Sequence, residues 1–447
     1  MNVSNNPDQI PNFTDKSAKS EESFESLAEQ PAPRSKKNSK RLFWLFLSLL
    51  GPGVIAMLAN NDAGGMIEYT LTGAKFGISF FIPLLFLFAP ISYQFQELSM
   101  RLSAVTGREY RGLVRERFGR GASVYSVTAL SLANTLYIVT EYVGMTAGLT
   151  MLGLPLWLAD IVCFAFIGSI TFFMGYARKE KVALVVGAIN VVFIVVAILA
   201  RPNFSQFAGI FTASSGAASG FGPDSMPVFI MATLGNTIAP FMLYFQNSAT
   251  LDKEVTSADI HTGRLDILIG SVLQPFFAAV VMICGAALAG KEVAGNAAGI
   301  ISAFCSRLGN AGGALFAVGL FNAGWLAATT ISMSTAYTVA GAFGWKRSMN
   351  DKIAQAPGFY GTYFAGLLIG AAVILIPRLP LVMLAVFTQI IGAGVLIPDI
   401  IFLNLLTSDK KLMGKFVNKP IKKIVGWTLA VIFAVMSVIA VTTSLLS

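Results

Sequence analysis

The chain has 447 residues, of which 55% are hydrophobic and only 12% charged, with a formal net charge of +9. Globular domains are about one quarter charged, so this composition cannot cover a soluble protein of such length in water. Whole-chain disorder and nucleic-acid binding are excluded on the same grounds, and the remaining class is an all-α polytopic membrane protein.

Residues 1–41 are polar. Acidic positions (Asp8, Asp15, Glu21, Glu22, Glu25, Glu29) give way to a basic end (Arg34, Lys36, Lys37, Lys40, Arg41). No apolar core precedes a small-residue cleavage site, so the segment is not a signal peptide. It reads as a disordered cytoplasmic tail with a basic anchor at the bilayer surface.

Hydrocarbon about 30 Å thick needs about 20 largely apolar helical residues, and the sequence offers about eleven such spans. They lie near 42–73, 77–100, 122–150, 154–176, 181–200, 226–250, 265–289, 311–343, 357–377, 380–406 and 423–445. The stretch 293–309, which mixes Gly, Asn and Ser with apolar residues, reads as an interfacial helix rather than a twelfth span. The three cysteines, Cys163, Cys284 and Cys305, have no CxxC spacing and read as small buried hydrophobes. The only histidine, His261, falls in a polar connection.

Lysine and arginine alternate between the connections. One set holds the tail, then Arg101 to Arg120, Arg178 to Lys181, Lys253 and Arg264, Lys346 to Lys352, and Lys410 to Lys423. The other set has Lys75, Arg201, Lys291, Arg307 and Arg378. The positive-inside rule then puts the amino terminus in the cytoplasm and, after an odd number of spans, the carboxyl terminus outside. The membrane is a plasma membrane or a bacterial inner membrane.

Spans 1 and 6 share an interruption. Span 1 reads Gly51-Pro52-Gly53 and then Ala59-Asn60-Asn61-Asp62-Ala63-Gly64-Gly65; span 6 reads Gly235-Asn236-Thr237-Ile238-Ala239-Pro240-Phe241. Span 6 follows span 1 by five spans, an odd offset, so the two broken helices run in opposite senses. Matched breaks of this kind point to an inverted-repeat transporter with its site near the midplane. The first repeat would occupy 42–200 (spans 1–5) and the second 226–406 (spans 6–10), with span 11 at 423–445. The freed backbone is tolerated at that depth only inside protein or beside a wet cavity.

Asp62 is the sharpest single feature. A carboxylate mid-membrane costs about 2.5–3.5 kcal/mol on insertion scales, and no Lys or Arg lies at that depth to pair with it. A bound cation is the simplest partner, with carbonyls around Ala59 and Asn236 adding hard oxygen ligands. Glu68 either lines the ion path or faces external water. Glu141, mid-span beside Thr140, is either a titrating path residue or a protonated structural group. Asp160 and Asp266 lie near span ends and read as solvated, and Asp399 reads as half of a structural ion pair. Gln389, beside Thr388, and Gln246 and Asn247 either face the cavity or bond neighbouring helices.

Gly51-Pro52-Gly53 followed by Asp62-Ala63-Gly64-Gly65 resembles the first helix of the NRAMP divalent-metal transporters, where Gly-Pro-Gly precedes an Asp-Pro-Gly-Asn motif at the same distance. Thr72-Gly73-Ala74-Lys75-Phe76-Gly77, Thr106-Gly107 and the Gly-x-Thr-x-x-Pro pattern at Gly235 to Pro240 are similar to that family's as well. The resemblance spans most of 42–445 and implies a LeuT-like inverted repeat, a divalent metal ion as substrate, no resident cofactor and no enzymatic activity.

The departures carry their own implications. Asp62 keeps the family's Asp position, with Asn61 beside it, but Gly65 stands at its Asn position and Ala239 at its Met position. Loss of the thioether removes a preference for softer metals, and loss of the amide enlarges the site. Mg²⁺ sheds water reluctantly and binds through few carboxylates, so a roomier site suits a hydrated Mg²⁺ ion. Phe241 stands at a proton-path histidine. Of a carboxylate pair in span 3, Glu141 remains and Gly144 replaces the second member. No arginine pair precedes span 9 at Ala356 to Tyr360. The pattern resembles the NRAMP-related magnesium transporters and implies Mg²⁺ transport, with Mn²⁺ also passing, by alternating access without proton coupling. A proton-coupled transition-metal carrier and an amino-acid symporter on the same fold are the alternatives. Oligomeric state is not written in the sequence.

Overall fold

The computed structural model describes residues 51–173, 176–201, 225–289, 297–348 and 351–445; the tail 1–41 and the start of span 1 lie outside them. Every regular element among the described residues is helical. Span 1 is split into α1 (Pro52–Ala59) and α2 (Ala63–Phe76), followed by α3 (Phe81–Thr106), α4 (Tyr110–Met151) and α5 (Leu156–Phe173). Span 5 forms α6 (Tyr176–Ile189) and α7 (Val192–Ala200). Span 6 is split into α8 (Met226–Thr237) and α9 (Pro240–Asp252). Then come α10 (Ile260–Ala286), α11 (Ala297–Phe343), α12 (Pro357–Ile374), α13 (Leu381–Thr407), the short α14 (Lys410–Met413) and α15 (Pro420–Leu445).

Among the described residues, eight helical stretches are long and apolar enough to cross a membrane. Spans 1, 2 and 4 are not among these eight: the break divides span 1 into two short pieces, the second half of span 2 carries Gln94, Gln96, Glu97 and Arg101, and span 4 is described as an apolar stretch only over Leu156–Ser169. The long helices α4 and α11 are each divided by one residue with left-handed backbone, Gly119 (φ 91°) and Gly309 (φ 76°). No neighbour crowds either site, so it is the positive φ rather than packing that calls for glycine there. Gly309 ends the stretch read as interfacial in the sequence and starts the span proper.

The broken helices lie at the centre. All eight residues of α1 are buried, as are all but two residues of α2. Helix α10 packs along α1, α2 and α3, while α8 packs on α13, and α4 on α11, α12 and α13. The outside is apolar: Leu87, Leu132, Trp157, Ile198, Leu368 and Val431 are exposed, as a lipid-facing surface requires.

Several charges found different partners from those expected. Among the described residues Asp399 forms no ion pair; its Oδ1 accepts from Tyr110 (3.0 Å), Tyr244 (2.9 Å) and Ser126 (3.2 Å) hydroxyls. Lys422, from the lysine-rich segment thought to serve it, instead meets buried Glu97 at 2.9 Å, together with Arg101 (3.0 Å) and Arg264 (2.8 Å). Asp160 and Asp266 are buried rather than solvated, because helix ends in this bundle pack against other helices and not only against water. Gln246 bonds within its own helix, and Asn247 accepts from the Tyr110 backbone N–H at 2.9 Å, so both serve structure.

Candidate functional site

Each break has a local cause. After Ala59 the chain keeps helical angles at Asn60 and then turns extended at Asp62 (φ −75°, ψ 165°), where α2 begins. Asp62 is the N-cap of α2, its Oδ1 accepting from the Gly65 backbone N–H. In span 6 the chain leaves the helix at Ile238 (φ −139°, ψ 88°) and Ala239 (φ −86°, ψ 147°), and Pro240 opens α9. Proline suits that first position because it lacks the N–H that would go unused and disfavours helix in the residue before it.

The two breaks meet. The Asn60 side-chain amide donates to the Asn236 carbonyl, so one expected backbone ligand is already used as the tie between breaks. The Asn236 side chain fills the space against Gly65: a Cβ built on Gly65 would overlap the Asn236 amide. Removal of a side chain at 65 therefore does not open a void, as the sequence implied. The amide absent from α2 is supplied by α8, and its Nδ2 reaches Glu68 Oε2 at 3.3 Å. Glu68 is fully buried, with Oε1 accepting from Thr72 (2.7 Å) and Thr233 (2.9 Å), so it does not face external water.

Glu141 comes to the same place from α4. Its Oε2 accepts from the Ala63 N–H at 2.8 Å, so Glu141 and Asp62 both sit at the amino end of α2. That end carries partial positive charge, which offsets some of the cost of holding two carboxylates in a dry interior. Gly144, one turn on, permits the approach: any Cβ there would overlap the methyl group of Ala63. A carboxylate at 144 would push α2 away. Gln389 on α13 points its Nε2 at Asp62 Oδ1 from 3.5 Å. Ala239 and Phe241 are buried on the second break, and the Phe241 ring stands edge-on to Tyr137 at 6.0 Å.

The chemistry lies in what has no protein partner. Asp62 Oδ2, Glu141 Oε1, Asn236 Oδ1, Gln389 Oε1, Asn60 Oδ1 and Asn61 Oδ1 are buried acceptors left unbonded. Buried polar atoms are nearly always paired, so a cluster of orphans around two helix breaks marks a place where something else binds. Every orphan named is a hard oxygen acceptor, and two of them belong to carboxyl groups, those of Asp62 and Glu141. Among the described residues no three His, Cys, Asp or Glu side chains converge as a compact cage. The arrangement can take up a cation with few direct ligands, leaving room in its shell for water or amide oxygen. Sequence reasoning missed the role of Asn236 as the neighbour of Gly65; the amide at a helix break was visible, but its contact spans 171 positions of chain and needs the fold.

A family model for natural resistance-associated macrophage protein-like (Nramp) chains matches residues 53–443. The chain belongs to the Nramp family. Among its relatives, the divalent metal cation transporter MntH of Bacillus subtilis is 27% identical over 434 residues, covering 91% of this chain and 96% of its own. The MntH of Deinococcus radiodurans is 26% identical over 421 residues, covering 88% of each. Among solved structures, the manganese transporter of Eremococcus coleocola superposes with a TM-score of 0.72 at 18% identity, covering 93% of this chain and 89% of that one. The nucleobase-cation-symport transporter Mhp1 superposes at 0.57 with 14% identity, covering 89% and 90%. The fold is thus the LeuT-like one expected from the paired breaks, and this Nramp chain is a membrane protein whose relatives carry ions rather than catalyse reactions.

Proposed function

We propose that this Nramp-family chain is a divalent-metal transporter whose preferred substrate is Mg²⁺, with Mn²⁺ also carried, and that it moves the ion without protons. The observation that supports this is the donor set at the breaks: orphaned oxygens from Asp62, Glu141, Asn236 and Gln389, with Ala239 rather than a sulfur ligand on the second break. Carboxylate and amide oxygens suit hard ions, whereas thioether and imidazole select softer ones. Mg²⁺ retains several waters and needs only one or two carboxylates, which a site lacking a compact three-ligand cage can supply.

Asp62 binds the ion, Glu68 holds the Asn236 amide in register, and Glu141 carries the second charge. Ala59 and Asn61 complete the wall of the break, with Gly65 the surface on which Asn236 rests. Phe241 and Gly144 are uncharged where a proton path would need titratable groups, so Glu141 has no onward relay on those two positions. Entry of a divalent cation is driven by the membrane potential at about 2.3 kcal/mol per charge per 100 mV, doubled for Mg²⁺, which is sufficient without protons. The chain lies in a plasma or bacterial inner membrane with its amino terminus cytoplasmic and its carboxyl terminus outside, and its repeats run over 42–200 and 226–406. The test is uptake into proteoliposomes from equimolar Mg²⁺, Mn²⁺ and Ca²⁺. Mg²⁺ uptake that Mn²⁺ inhibits is expected; Mn²⁺ uptake indifferent to excess Mg²⁺ would refute the proposed preference.

A further inference from the structure

Helix α1 has a need that its own residues do not meet. The first N–H groups of any helix have no intrahelical acceptor, and an N-cap side chain usually takes one of them. Here the N-cap is Gly51, which offers no side chain, and Pro52 has no N–H. Asp266, on α10, supplies the cap from a distant part of the chain. Its Oδ1 accepts from Gly51 (2.6 Å) and Val54 (3.2 Å), and its Oδ2 accepts from Gly53 (2.8 Å).

The seat is built to contact distance. A Cβ on Gly53 would lie 2.8 Å from both Asp266 Oδ2 and Ile267 Cγ1, and one on Gly51 would lie 3.0 Å from Oδ2. Lys253 stands alongside, 3.2 Å from the same Gly51 position. Two residues before Asp266, Arg264 grips Glu97 of α3 at 2.8 Å. The start of α10 therefore holds α3 by an ion pair and α1 by a carboxylate on its amino end.

We propose that Asp266 is a positioning residue of the transport cycle: it latches the amino end of α1 against α10, and release of this latch opens the path from the break along α1. This rests on the reading of the chain as a transporter. Helix α1 runs from the latch to the break at Asn60 to Asp62, so parting α1 from α10 must break all three bonds together. A carboxylate and backbone N–H groups are readily hydrated, so the exchange of protein for water partners carries only a small net free energy. That property makes the contact reversible, which a buried apolar seam of equal area would not be. The helix dipole adds attraction while the seam is dry and loses it once water screens the charge.

The test is a thiol-accessibility measurement in reconstituted full-length protein, after replacement of Cys163, Cys284 and Cys305 by alanine. Ile55→Cys reports on α1 and Ala327→Cys, fully buried on α11, reports on general loosening. Asp266→Asn removes the charge, and Gly53→Ala disturbs the same seat from the other helix. Both should raise the alkylation rate at position 55 by about tenfold, the shift expected from losing bonds to a charged acceptor, with position 327 unchanged. Labelling at 55 that stays at the parental rate in both variants, or rises equally at 327, would overturn the latch. The assay contains no metal, so its failure would be distinct from failure of the Mg²⁺ reading, which only ion flux tests.

Discussion

Replacement of Asp62 by asparagine separates charge from structure at the breaks. The N-cap bond from the Gly65 N–H needs only an acceptor oxygen, which asparagine retains, so α2 should still begin at Ala63. What disappears is the charge on the orphaned Oδ2, replaced by oxygen or by an N–H donor that repels a cation. For a divalent ion held through water at roughly 5 Å, with an effective dielectric constant near 20, the lost attraction is about 7 kcal/mol; a dielectric twice as large leaves about 3 kcal/mol. Even the smaller value weakens binding roughly 100-fold, since about 1.4 kcal/mol is tenfold. Thermal stability should hold or rise, because one of the two buried carboxyl groups at the amino end of α2 has been neutralised. The assays are Mg²⁺ titration calorimetry in detergent and dye-reported uptake in proteoliposomes. An Asp62→Asn protein that unfolds cooperatively like the parent yet binds Mg²⁺ within threefold of it would refute the assignment.

Three other outcomes follow from the same geometry. Because Asn236 occupies the space beside Gly65, the softer site cannot be rebuilt by Gly65→Asn with Ala239→Met alone; adding Asn236→Ala should be required before competition assays show preference moving toward Mn²⁺. Glu97→Gln leaves Arg101, Arg264 and Lys422 without their shared carboxylate and should destabilise by about 3–5 kcal/mol, read as a lowered Tm with Mg²⁺ affinity retained. Tyr244→Phe removes one of three hydroxyls on Asp399 and should cost about 1–2 kcal/mol of stability by denaturant titration, again with the ion affinity unchanged.

The fold was legible because the membrane leaves so few choices. Long apolar runs, Pro240 and the Gly-Pro-Gly at 51–53 placed the helices and both breaks to within a few residues. Asp62 stood out since a carboxylate at that depth needs a reason. What escaped were contacts between residues far apart in sequence. Asp266 looked solvated from its place near a span end, whereas the unsatisfied amino end of α1 reaches it across 213 positions. Asp399 looked like an ion-pair partner because lysines follow it, but those lysines are drawn to Glu97 or to the surface, and three hydroxyls arrive from α4 and α9 instead. The vacancy implied by Gly65 was likewise filled by an amide from the other break. Periodicity and composition place a residue on a helix; they do not say which helix faces it.

Transport of Mg²⁺ without protons can be measured as Mg²⁺ flux into proteoliposomes under a fixed membrane potential, with a pH-sensitive dye inside and with the pH gradient present or abolished. Equal Mg²⁺ uptake is expected in both conditions, with no acidification accompanying the ion. Acidification in fixed proportion to Mg²⁺, or uptake that collapses when the pH gradient is removed, would contradict transport without protons.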